Sequence, residues 1–248
     1  MKTDFTQITF DPKNHSYTYP LDGRVIPLTS VSSVCKTLEE PFDRDAVSLR
    51  ISAREGRAVP DILAEWEAKG KASRELGSQV HEYIRIVLTG QAPPQDPITA
   101  INSILPEIRA FDGFWREARI YMGVREIEWV IGDIDYGLAG TIDALIYHKE
   151  TRMFHLLDWK TGKFSSYNNF GKLRQPFADL DAGEMQKYSL QLGLYRLILE
   201  RNADLPAPVG DSYLVHLNGY GHHQVYKALD LGDRLEKWLE EKRPISNL

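Results

Sequence analysis

Cysteine is nearly missing from this chain. Cys35 stands alone among 248 residues, so neither an intramolecular disulfide nor an iron–sulfur cluster held by four cysteines can form. Long apolar runs are missing as well: no stretch approaches the ~18 consecutive apolar residues of a membrane span. Residues 1–7 lack the apolar core of a signal peptide. A reducing, cytoplasmic setting with no membrane attachment is the expectation. Positive charge is not in excess, since 30 Lys and Arg against 35 Asp and Glu leave a net charge of −5. On the scale of the whole molecule that argues against a general nucleic-acid binder. Internal repeats and low-complexity segments are absent too. The remainder is the composition of a globular chain, 42% hydrophobic and 26% charged, long enough to bury a large core as one domain.

The apolar pattern divides the chain into elements. Residues 8–10, 16–19 and 25–28 alternate as short strands of a meander around Leu21-Asp22-Gly23. Thr29 or Ser30 can cap a helix reaching Leu38, with Pro41 beyond it. Helical spacing follows over 60–69 and 71–88, with Gly70 as the break between two helices and Gly90 as the stop. Val80, Ile84 and Val87 belong to the core face of the second helix, and His81 adjoins that face. Pro93, Pro94 and Pro97 mark a linker, after which a helix broken or kinked near Pro106 runs towards Ala118. A strand over 124–131, a long helix over 184–201 and a strand pair over 211–217 and 222–226 come next, and Asp230 or Asp233 opens a final amphipathic helix.

The chemistry concentrates in one predicted hairpin. Two apolar runs, 138–147 and 153–158, flank the polar stretch His148-Lys149-Glu150-Thr151-Arg152. With residues 149–152 as the loop, Asp143 and Asp158 become cross-strand neighbours, their Cβ atoms roughly 4.5–5.5 Å apart. Strand alternation puts Lys160 on the face of Asp158 and turns Trp159 away. Paired acids near a strand end are often a solvated rim, but both of these interrupt runs that should be buried. A buried ionised carboxylate costs several kcal/mol unless it is paired. Two carboxylates and a lysine converging in this way suit a hard divalent cation.

At this point the sequence resembles a known family. Gly140-Thr-Ile-Asp143, Leu157-Asp158-Trp159-Lys160-Thr161-Gly162, Gln191-Leu-Gly-Leu-Tyr195 and the upstream Gly77-Ser-Gln-Val-His81 are similar to the motifs of the RecB-type branch of the PD-(D/E)XK nuclease superfamily. Phe10-Asp-Pro-Lys-Asn-His15, with Tyr19 and Asp22-Gly23, is similar to the start of phage-type and mitochondrial-type exonucleases of that group. The resemblance implies one α/β domain over 1–248: a meander and helical addition over 1–70, a restriction-endonuclease-like core with a mixed central sheet flanked by helices over 71–230, and a C-terminal helix over 231–248. It implies a phage-encoded or bacterial enzyme that hydrolyses DNA phosphodiesters with Mg²⁺ or Mn²⁺, as an exonuclease acting at ends or on single strands. A structure-specific endonuclease and a nuclease-like binding module without catalysis are the alternatives. The binding module predicts loss of one of His81, Asp143, Asp158 or Lys160, and all four are present.

The resemblance also assigns roles. Asp143, Asp158 and Lys160 are the expected catalytic set, and His81, Asp143, Asp158 and the Trp159 carbonyl the expected metal ligands. Lys160 would orient the attacking water, help deprotonate it, or stabilise transition-state charge. Gln191 and Tyr195, one helical turn apart, are expected to contact nucleic acid. Residues 159–178 contain Lys160, Lys163, Lys172 and Arg174 and no acid, so Lys163, Lys172 and Arg174 are expected to track a phosphate backbone; an ordinary polar loop is the competing reading. Glu128, Asp133 and Asp135 could approach the site, with solvated strand-end charge as the favoured reading for all three.

Overall fold

The computed structural model describes residues 2–91, 98–162, 164 and 171–242. The linker prolines and Lys163 lie outside the described residues. Eight strands form one mixed sheet. The meander is β1 (Thr9–Asp11), β2 (Ser16–Leu21) and β3 (Arg24–Ser30), all antiparallel. Alternation makes it: Tyr17 and Tyr19 are buried while Ser16 and Pro20 are exposed. Asp22 (φ 50°) and Gly23 (φ 75°) supply the left-handed turn between β2 and β3. β4 (Met122–Asp133), β5 (Leu138–His148) and β6 (Met153–Thr161) form the central antiparallel unit. β7 (Val209–Leu217) lies parallel to β6, and β8 (His223–Lys227) closes the row.

Strand β5 is the hinge of this architecture. Along one edge it pairs with β4 from Leu138 to His148. The other edge is shared. β6 takes Ala144 to His148, β3 takes Leu138 and Ala139 in parallel, and residues 140–143 have no ladder partner there among the described residues. The predicted hairpin register holds, with Ala144 opposite Leu157 and His148 opposite Met153. The ladder ends one pair short of Asp143 and Asp158, because β6 there leaves β5 and continues beside β7 alone. The sheet forks at its carboxylates.

Helices cover both faces. α1 (Val31–Thr37), capped by the Ser30 hydroxyl, packs with α5 (Glu184–Asn202) and α6 (Gly232–Lys242) over Leu145, Leu156 and Leu214. α3 (Val59–Thr89) and α4 (Ile98–Ala118) cover Ala144, Ile146, Leu157 and Val215 on the opposite side. Pro106 sits inside α4 without ending it. α2 (Arg44–Glu55), capped by Asp43, has no counterpart in the sequence reading. Its single buried residue is Ser48, so it shows no apolar stripe from which a helix could be inferred. The expected break at Gly70 is also corrected, since α3 runs through it as one helix of 31 residues. A mid-helix glycine costs about 1 kcal/mol relative to alanine, too little to interrupt a helix anchored by Ile62, Val80 and Ile84. Gly90, in the left-handed region, does stop it.

Candidate active site

The fork gathers the predicted hairpin residues. The Asp143 carboxylate accepts a hydrogen bond from the Trp159 backbone N–H at 2.8 Å, taking the place of the ladder bond that β5 no longer offers. The Trp159 side chain is buried on the α3/α4 side, packed edge-on against Phe111 and Phe114. Asp158 and Lys160 point the other way, as strand alternation requires. The Lys160 ammonium lies 2.7 Å from Asp158 Oδ2 and 4.1 Å from the ring centroid of Tyr188 on α5.

Helix α3 supplies the third side. His81 Nε2 lies 3.2 Å from the Trp159 carbonyl oxygen, and its Nδ1 lies 3.5 Å from Glu128 and 3.7 Å from Asp143. One ligand atom each from His81, Glu128 and Asp143 falls within a 4.8 Å group. Glu128 corrects the reading of it as a solvated strand-end charge. A bulge between Val124 and Glu126 shifts β4 by one residue, so that Ile127 meets Ala144 and Trp129 meets Ile142. Glu128 is thereby set against Asp143, with a left-handed φ of 48°. Asp133 is also corrected: it is 1% exposed and bonded to Arg201, Asn202 and the Tyr136 N–H, away from the site. Asp135 lies 4.0 Å from Arg201.

The electrostatics are those of an acid-rich pocket short of cations. Burial pushes the Asp158 carboxyl up to about 6, Lys160 pulling it down and Asp143 pushing it further up. Burial likewise raises Asp143, against the pull of His81 and Lys160. Burial works against a charge on His81, yet Asp143 and Glu128 outweigh it and carry the imidazole up to about 9. Lys160 is raised too, because Asp158 and Asp143 outweigh its own burial. A mixed set of carboxylates, one imidazole and an available carbonyl fits a hard or borderline divalent cation such as Mg²⁺ or Mn²⁺.

A cavity of about 280 Å³ opens beside these groups, lined by Glu128, Asp143, Gly140, Gln191 and Tyr195, with Phe10, His15 and Tyr17 from the meander. Gln191 donates to the Tyr195 hydroxyl at 3.1 Å, so the two residues reach the cavity as one unit. Gly140 is required by that arrangement, since a Cβ there would lie 2.5 Å from Tyr195 Cε1. Lys172 and Arg174 sit elsewhere on the surface, each already engaged: Lys172 with Asp181 at 2.7 Å, Arg174 with Glu40 at 3.0 Å.

No helix among the described residues is long and apolar enough to cross a membrane. No curated protein matches the sequence. Among solved structures, the one titled "Crystal structure of SSO0001" is 16% identical over 71% of this chain and 74% of that one, with a TM-score of 0.25, too low to establish a shared fold. The family profile described as the PD-(D/E)XK nuclease superfamily matches residues 52–247, a span that takes in the α3 histidine, the forked hairpin and the Gln191–Tyr195 helix. With the mixed α/β fold, a cluster of groups able to hold a metal and the sequence match in agreement, the chain belongs to the PD-(D/E)XK nuclease superfamily.

Proposed function

We propose that the protein hydrolyses DNA phosphodiester bonds as a Mg²⁺- or Mn²⁺-dependent exonuclease acting at ends or on single strands. The observation that carries this reading is the cluster of His81, Glu128 and Asp143 around the fork, with the Asp158–Lys160 pair on its far side. His81, Glu128, Asp143, Asp158 and the Trp159 carbonyl are the groups that would hold the cation. When bound, the cation supplies Lewis acidity towards the phosphate and lowers the pKa of water.

The side chains do the rest. Lys160, its proton held by two carboxylates, acts as a cation here and not as a base: it stabilises negative charge growing on the phosphate and orients the attacking water. Tyr188, under the ammonium, limits the directions in which Lys160 can swing. Asp158, 2.7 Å from the Lys160 ammonium, holds that cation in place beside the metal position. The Gln191–Tyr195 unit, seated over Gly140, positions the strand at the cavity it lines. Lys172 and Arg174 contact phosphates further out, and Lys163 adds a third positive charge for the backbone. Lys172 and Arg174 would do so by exchanging a surface carboxylate for a phosphate, a small cost because exposed ion pairs contribute about 0–1 kcal/mol.

The test is digestion of a linear duplex, a nicked circle and a single strand, each labelled at one end. Cleavage should vanish in EDTA, return with Mg²⁺ or Mn²⁺, and release nucleotides from ends. Undiminished cleavage in chelator would overturn the metal assignment, and rapid loss of a covalently closed circle run beside them would convert the exonuclease into an endonuclease.

A further inference from the structure

Gly70 is out of place by the rules of helix stability. It lies in the middle of α3 in an ordinary helical conformation, where almost any other residue would hold the helix better. Nothing crowds it: a Cβ there would meet only the Arg74 guanidinium at 3.3 Å, the far end of a flexible side chain. Gly70 instead forms part of a surface groove of about 380 Å³ lined by Phe42, Arg44, Trp66, Glu67 and Arg74. Phe42 is 67% exposed and stands against Trp66 at a ring-centroid distance of 5.8 Å. Neither Arg44, which donates to the Leu63 carbonyl at 3.3 Å, nor Arg74 is paired with a carboxylate among the described residues, in contrast to Arg57, Lys69 and Lys71 nearby. An exposed phenyl beside a half-buried indole, two guanidinium groups without a carboxylate partner among the described residues and an absent side chain make a groove suited to flat groups joined by negative charge. Glu67 is the one carboxylate in its lining.

The groove shares a helix face with the metal ligands. Trp66, Gly70, Arg74, Gly77 and His81 follow one another at intervals of four, four, three and four residues, which keeps all five on a single stripe of α3. At about 1.5 Å per residue the ring of Trp66 stands roughly 22 Å before His81, and Arg74 roughly 10 Å before it. We propose that this stripe, with Phe42 and Arg44 beside it, is a track for a single strand of nucleic acid whose far end lies at the fork. Bases stack on Phe42 and Trp66 over the space left by Gly70, and Arg74 and Arg44 meet phosphates. Stacking on aromatic side chains combined with backbone tracking by cations is how unpaired strands are held; a duplex keeps its base faces covered and has nothing to offer the two rings. The track rests on the nuclease reading for its direction, since it leads to His81, but its binding can be measured without cleavage.

Fluorescence anisotropy with a labelled sixteen-nucleotide oligothymidylate, and separately with a trinucleotide, in Ca²⁺ tests it. Replacing Phe42 and Trp66 together by alanine should weaken the long strand at least ten-fold and the trinucleotide less than two-fold. Arg74→Ala should lower the salt slope for the long strand by ~0.7. Gly70→Leu guards against simple unfolding: it favours the helix yet fills the groove, so the long strand should bind more weakly with no fall in Tm. Equal losses for long and short strands, an unchanged long-strand affinity, or a sixteen-base-pair duplex that suffers as much as the single strand would each overturn the track; the unchanged affinity would leave the groove to a protein partner. The nuclease reading fails separately, if wild-type protein with Mn²⁺ hydrolyses neither DNA nor bis(p-nitrophenyl) phosphate, whatever the binding shows.

Discussion

Asp133 and Asp158 are both carboxylates of central strands, 1% and 4% exposed, and their surroundings are opposites. Asp133 is saturated: Arg201 and Asn202 donate at 2.9 Å and the Tyr136 N–H at 3.0 Å. Asp158 has the Lys160 ammonium at 2.7 Å and shares its neighbourhood with Asp143 and Glu128, so that three acids face two cations, Lys160 and His81. A saturated acid holds a fold together. An acid crowd left short of positive charge suits a cation, and the raised Asp143 and Asp158 carboxyls record the strain.

That contrast can be broken by paired substitutions. Asp158→Asn is expected to abolish cleavage, a loss of at least ~10²–10³-fold, while Tm without metal holds or rises because an under-compensated charge has gone. Steady-state assays and a melting curve on the same preparation decide it, and a mutant that melts markedly lower would make Asp158 structural. Lys160→Ala should cost about 10²-fold in turnover, with Mn²⁺ binding by calorimetry retained because an ammonium is no ligand. Asp133→Asn should do the reverse of both, removing about 2–4 kcal/mol of stability in urea unfolding and leaving kcat of the folded fraction near normal.

The contrast is sharpened by pH. The His81 pKa is about 9 folded against an ordinary 6.5, so its contribution to stability is present below 6.5 and lost as pH rises through 9. That of Asp158 is about 6 against 3.8, and its contribution likewise fades as pH climbs from 3.8 through 6. Both shifts make the metal-free protein weaker on the alkaline side. The increase in Tm given by Mn²⁺ should therefore grow between pH 6 and 9, and Asp143→Asn should flatten it. The smallest effect is expected at the surface. Neutralising Lys172 and Arg174 together should weaken DNA binding a few-fold and reduce its salt slope by ~0.7–0.9 for each phosphate no longer neutralised, without changing kcat.

The hairpin is legible in the sequence because alternation and a polar loop over-determine its register, and a register fixes which side chains meet. Ala144 opposite Leu157 follows from those two signals alone. Glu128 is not legible, since its place depends on a bulge and a left-handed residue in β4, features with no glycine or asparagine to announce them. Asp133 escapes for a related reason: its partners Arg201 and Asn202 lie at the end of α5, 68 and 69 residues away. The parallel join of β3 to β5 is longer still in sequence, linking Thr29 to Leu138. Local pattern reveals strands; it does not reveal which distant strand fills the last stretch of an edge.

The join of β3 to β5 bears on how far the protein can be shortened. The family match begins at residue 52, which invites a fragment starting there. Such a fragment would lack β3, and with it the partner of Leu138 and Ala139 and the Tyr17 hydroxyl that meets Thr141 at 3.0 Å. Residues 138–143 would then present a bare strand edge, with Leu138, Ala139 and Ile142 uncovered, to any other chain. Exposed edges of that kind recruit copies of themselves. Aggregation of the fragment, where the full chain stays dispersed, would identify the meander as the sheet's protective selvage.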